Sequence, residues 1–153
     1  MTTPKITLLF ASLHVLLMLV LLARVVHRRR DLKVGIGDGG DELLARRIRV
    51  HANFTENVPI ALVLMALLEL SGLAAPWLWS LGGVLLMARV LHSIGLSGSS
   101  GSSFGRFLGT LLTWGVLATM ALLGIRIGMS MSIGGLTTLA VALESANTDP
   151  RPA

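Results

Sequence analysis

Arg49, Asn53 and Glu56 stand at i, i+4 and i+7 in the stretch "RRIRVHANFTENVP", Arg46 to Pro59. On a helix of 3.6 residues per turn this spacing lines a cation, an amide and a carboxylate along one face. Arg46 falls near the same stripe. The run that follows, "IALVLMALLEL", is as apolar as a membrane span. Charged groups at the mouth of hydrocarbon are costly and need partners. Further along, Arg89 and His92 are i, i+3 and share a helix face. Arg24 lies at the equivalent depth of the first apolar run, and Arg106 opens the last. Each of four expected helices therefore brings a cation to one side of the membrane.

Several guanidiniums with few local acids make an anion site, because the planar fork grips carboxylates bidentately. Glu56 and Asn53 add acceptors suited to an ammonium or a peptide N–H. A small zwitterion with more than one carboxylate uses both kinds of group, and glutathione is such a ligand. A thiol held beside an arginine is favoured as its thiolate. Lowering a thiol pKa by about two units takes roughly 2.7 kcal/mol, within reach of one well-placed guanidinium in a partly dry site. A lipid-soluble electrophile could then meet the thiolate from the bilayer side.

Simpler roles compete for the same residues. Arginines at span ends snorkel to headgroups and set topology, which covers Arg28, Arg29, Arg30, Lys33 and Arg47. Arg24 and Arg89 fit that role less well, because each interrupts an apolar run. Glu56 can pair with Arg49 or Arg46 merely to stabilise a helix. His51 and His92 can be interfacial histidines, and Glu69 an interfacial end of the second helix. The four histidines, His14, His27, His51 and His92, lack a tight acidic cluster, which argues against a metal site.

Composition supplies the frame for these residues. The chain has 153 residues, 53% of them hydrophobic and only 14% charged, against about 25% charged in ordinary soluble domains. It has no cysteine, so disulfides, thiolate metal sites and a cysteine nucleophile are excluded. The net charge of +5 clusters between spans, which topology explains better than a nucleic-acid partner does. Spans are expected over about 6–26, 57–73, 78–96 and 107–125, giving an all-α, integral membrane four-helix bundle with up-down topology and a single domain. The second helix starts near Asp41, with Asp38 or Asp41 as its cap. "SGSSGSSFG", Ser97 to Gly105, reads as a flexible loop. Residues 127–153 read as a partly disordered tail containing a short interfacial helix. The first and third connections carry the basic residues, so the positive-inside rule places them in the cytoplasm and both termini outside.

With these residues in view, "RIRVHANFTENVP" resembles the signature of the MAPEG family, the membrane-associated proteins of eicosanoid and glutathione metabolism. Members share Arg, then Asn four residues on, then Glu three further, then a hydrophobic stretch with Pro; here these are Arg49, Asn53, Glu56 and Pro59. Some members also carry His where His51 stands. "ARVLHSIG", Ala88 to Gly95, is similar to the third-helix segment of the family. The resemblance implies a homotrimer in a bacterial inner membrane, binding glutathione as co-substrate between neighbouring subunits near the cytoplasmic face. It implies that Arg49, Asn53, Glu56 and Arg89, with Arg24, His51 and His92, hold the peptide. It assigns Arg106 the catalytic part of stabilising the thiolate, which would conjugate or reduce a hydrophobic small molecule. One feature departs from the pattern: where transferase members place a tyrosine on the third helix, this chain has Leu96, and it has no tyrosine anywhere. A glutathione contact is therefore lost or replaced, and a non-catalytic protein of the same fold, binding membrane lipid or a partner protein, stands as the alternative. A transporter or channel subunit needs charges along a path through the bilayer, and the middles of all four runs read as apolar.

Overall fold

Within hydrocarbon a backbone has no water to bond, so each apolar run must satisfy its N–H and C=O groups internally. The computed structural model, which describes residues 3–98 and 104–148, meets this demand with helices. They are α1 (Lys5–Leu32), α2 (Glu42–Leu70), α3 (Ala75–Gly98) and α4 (Phe104–Thr148). No strand occurs among the described residues. All four helices are long and apolar enough to cross a membrane, and the protein is a four-helix integral membrane bundle.

The connection between α1 and α2 is fixed by specific bonds. Lys33 adopts a left-handed φ of 54°, and Val34 N–H closes back onto the Arg29 carbonyl at 3.0 Å, which ends α1. Asp41, one of the two expected caps, accepts from Leu44 N–H at 2.7 Å and starts α2. The same carboxylate receives Arg28 Nε at 3.2 Å and Nη2 at 2.6 Å. One side chain thus caps a helix and ties it to its neighbour. The Arg28 guanidinium, then the Leu44 N–H, hold the Asp41 carboxyl below the usual carboxylate range. A depressed acid stabilises the fold above its ordinary pKa, and that contribution is lost as pH falls through the depressed value. Asp41→Ala should therefore lower the unfolding temperature at neutral pH. The gap between variant and wild type should close on acidification below the carboxylate range; a gap independent of pH would remove the ion pair from this account.

At the opposite end of the bundle, α1 begins after Pro4 with no side-chain cap of its own. Glu69 of α2 supplies one, accepting Ile6 N–H at 2.9 Å and Thr7 N–H at 2.7 Å. Its part exceeds the interfacial one read from the sequence, because first-turn amides need an acceptor that lipid cannot offer.

α2 and α3 form the centre of the bundle: each touches all other helices, while α1 and α4 lie on opposite sides of the pair. One buried cluster joins Phe10, Met65, Leu68, Leu81, Leu85 and Met120. A second joins Leu21, Val50, Phe54 and Val58. Lipid is as apolar as leucine, so close packing and polar bonds, rather than exclusion of water, hold such helices together. Glycines set the closest approaches. A Cβ on Gly109 would lie 2.6 Å from the Ala88 carbonyl and 2.7 Å from His92 N, and one on Gly105 would lie 3.2 Å from the Leu91 carbonyl. These two glycines, one turn apart, form a seam along which α4 lies against α3. Leu8, Leu16, Leu122 and other large apolar side chains face outward, as a lipid-facing surface requires.

The residues after Arg126 extend α4 as one continuous helix to Thr148, where the sequence suggested a separate short helix and tail. No proline interrupts this stretch, and each interior glycine costs a helix only about 1 kcal/mol. The expected loop is also shorter, since Ser97 and Gly98 belong to α3 and Phe104 and Gly105 to α4. The remainder of that loop, 99–103, and the end of the expected tail, 149–153, lie outside the described residues.

Candidate functional site

The register of α2 is set by its buried stripe Val50, Phe54 and Val58, packed on Leu21 of α1. That register turns Asn53 toward α3. Its Oδ1 accepts a hydrogen bond from Arg89 Nη2 at 2.9 Å. Arg89 is only 1% exposed. Among the described residues it makes no ion pair with a carboxylate, and its Nε is buried without a hydrogen-bond partner. A buried guanidinium without a counter-ion carries a large desolvation cost, so the bundle holds a positive charge that no carboxylate among the described residues balances.

Arg49 and Glu56 are more exposed. They pair at 3.6 Å with side chains 66% and 53% exposed, one of the simple pairings that the spacing allowed. The half-buried Asn57 donates to the Asn53 carbonyl at 2.8 Å.

α3 contributes His92, which is buried. The glycine seam brings α4 close enough for Thr110 Oγ1 to lie 3.2 Å from His92 Nδ1. Thr110 also donates to the Arg106 carbonyl at 2.9 Å. A cavity of about 220 Å³ opens between α2, α3 and α4, lined by Arg49, Asn53, His92, Arg106 and Thr110. It offers two guanidiniums, an amide and an imidazole in one small space, with the Arg89 charge one hydrogen bond behind Asn53. Such a lining receives an anionic group and holds an adjacent polar one.

Four of the eight candidate residues, Arg49, Asn53, His92 and Arg106, therefore meet at the cavity. Arg89 lies behind it, and Glu56 is joined to it through Arg49. Arg24 and His51 are not among the lining residues. The Arg24 carbonyl accepts from Arg47 Nη1 at 2.9 Å, joining α1 to α2. The His51 carbonyl accepts from Thr55 Oγ1 at 3.3 Å within α2. Arg24 is half-buried, whereas Arg89 is enclosed. Sequence reasoning missed Thr110. Its one available signal was the i+4 spacing from Arg106, which puts both on the same side of α4. It also left His14 unassigned: the ring is buried, Nδ1 lies 2.7 Å from the Phe10 carbonyl, and Phe54 packs beside it.

The sequence pattern of the MAPEG family matches residues 7–126, which takes in the four apolar runs and every residue of the cavity. The chain belongs to the MAPEG family. Within known proteins, the inner membrane protein YecN of Escherichia coli K12 is 40% identical over 88 residues, 57% of this chain and 66% of the relative. YecN of Escherichia coli O6:H1 matches to the same extent. The aligned segment thus spans just under two thirds of the length of these relatives. In this MAPEG chain the third-helix position of Leu96 lies inside α3, and its side chain is outside the described residues.

Proposed function

We propose that the cavity is part of a glutathione site, shared between copies of the chain in a homotrimer, and that the bound thiolate conjugates or reduces hydrophobic electrophiles arriving from the bilayer. The observation that carries this reading is the buried Arg89, unbalanced by any described carboxylate and bonded to Asn53 at the wall of a cavity lined by two more guanidiniums. A tripeptide with two carboxylates supplies the missing negative charge. Arg106 would stabilise the sulfur as thiolate; for a conjugation, that sulfur forms the new bond to the electrophilic carbon as the leaving group departs. Glu56 and Asn53 would receive the peptide's ammonium and amide N–H groups.

Size and depth support a shared site. Small-molecule pockets run from about 300 Å³ upward, and 220 Å³ is part of one. About 21 Å of helix separates Glu56 from Leu70, less than the roughly 30 Å thickness of hydrocarbon. An exposed Arg49–Glu56 pair at that depth is stabilised by a neighbouring subunit rather than by lipid. The YecN relatives suggest an inner membrane, and the basic α1–α2 connection suggests that the cavity end faces the cytoplasm.

Isothermal titration of the purified protein with glutathione should give saturable heat, together with thiolate ultraviolet absorbance. Arg49→Ala and Glu56→Ala should abolish the heat. Arg106→Ala should keep binding within a few-fold and lose the thiolate band. No heat and no thiolate with wild type would sink the reading. Leu96 and the absence of tyrosine favour a second one, a non-catalytic protein holding lipid or a protein partner. Lipid retained in native mass spectrometry, with no thiol-dependent turnover of an electrophile panel, would select it.

A further inference from the structure

His92 has two ring nitrogens in different circumstances. Nδ1 lies 3.2 Å from Thr110 Oγ1. Nε2 is buried and has no partner, in a side chain 5% exposed that lines the cavity.

The hydrogens can be assigned by counting donors. A threonine hydroxyl carries one hydrogen. Its shorter contact, 2.9 Å, is to the Arg106 carbonyl, and a carbonyl can only accept. The hydroxyl hydrogen therefore goes to Arg106, leaving a lone pair of Oγ1 toward Nδ1. Oγ1 then asks for a hydrogen from Nδ1. In the neutral ring only one nitrogen carries a hydrogen, and the bond made by one fixes the state of the other. If Thr110 instead donated to Nδ1, the Arg106 carbonyl would lose its 2.9 Å hydroxyl donor.

We propose that Thr110 is a positioning residue that holds His92 as the Nδ1–H tautomer, so that Nε2 is kept as a bare lone pair in the cavity wall, an acceptor for an N–H or S–H donor of a ligand that displaces the groups covering it. The chain Nδ1–H to Thr110 to the Arg106 carbonyl also links the imidazole on α3 to the backbone that carries the Arg106 side chain. The tautomer follows from the ligand-free geometry alone; only its use in binding rests on the glutathione reading.

The test uses full-length protein with ¹⁵N-labelled histidine in lipid nanodiscs, without ligand. Long-range proton–nitrogen correlations report which ring nitrogen is protonated, and His92→Gln identifies the His92 signals by their loss. Wild type and Thr110→Ser, which keeps the hydroxyl, should show protonated Nδ1 and bare Nε2. Thr110→Val, which keeps the shape without the hydroxyl, should show a new Nε2–H population. Wild type protonated at Nε2, or a Thr110→Val ring unchanged from wild type, would overturn the proposal. In a parallel titration, glutathione affinity should fall about tenfold in Thr110→Val, the scale of one hydrogen bond, and recover in Thr110→Ser. Affinity lost in Thr110→Val with the tautomer unchanged also counts against a positioning role. If wild type binds no glutathione, the ligand assignment fails, and the nitrogen signals still decide what Thr110 does.

Discussion

Replacing Arg89 with methionine should leave the ligand-free protein as stable as wild type or more so, while glutathione affinity falls by on the order of a hundredfold. The two halves of this result have different causes. The guanidinium is 1% exposed and lacks a carboxylate partner among the described residues, and an uncompensated buried charge costs several kcal/mol. Methionine fills much of the same volume without that cost. Against the gain stands the orphaned Asn53 Oδ1, which loses its 2.9 Å donor at about 1–3 kcal/mol. Binding responds in the opposite direction, because an anionic ligand loses the buried charge it would compensate. About 2.7 kcal/mol of lost attraction is a hundredfold in affinity. Thermal unfolding with and without glutathione measures both halves. Wild type should gain stability from the ligand and Arg89→Met should not. A variant that unfolds at much lower temperature without ligand would show that Arg89 serves the fold more than the site.

The second large effect concerns Gly109. Adding a single methyl there places a carbon 2.6 Å from the Ala88 carbonyl and 2.7 Å from His92 N. Both are backbone atoms and cannot rotate away, so α4 must move off α3. Overpacking of this kind costs about 1–3 kcal/mol, and Gly109→Val should reach the upper end or exceed it. Gly115→Ala is the internal control, since nothing lies within 4 Å of a Cβ there; it should be neutral, or stabilising by up to about 1 kcal/mol through helix propensity. Unfolding in graded denaturing detergent distinguishes the two. Equal behaviour of Gly109→Ala and Gly115→Ala would mean that the seam is looser than described.

The contrast between Arg49, Asn53 and Glu56 shows what sequence could and could not reveal. The stripe was legible, and so was its place at the end of an apolar run. A helix turns about 100° per residue, so Asn53 sits about 40° to one side of Arg49 and Glu56 about 20° to the other. That small divergence became a division of labour once α3 lay on the Asn53 side. Which side α3 would take is a tertiary fact, set by Val50, Phe54 and Val58 against Leu21. The burial of Arg89 was likewise hidden. Spacing showed a cation interrupting an apolar run but could not distinguish one that reaches the headgroups from one enclosed by three helices. Thr110 joined the cavity only through the register of α4 on α3, and that register depends on the missing side chain of Gly109. The four helices were readable because lipid imposes one rule on every segment. The cavity was partly readable because it depends on how those segments turn.

The bonds made by Asp41 and Glu69 have a mechanical consequence. Arg28 grips Asp41 at one end of the first two helices, and Glu69 grips the start of α1 at the other. A pair of rods pinned near both ends cannot slide lengthwise or scissor without breaking a pin. The first two helices therefore keep a fixed register, and the depth at which α2 carries Asn53 is set against α1 from both ends.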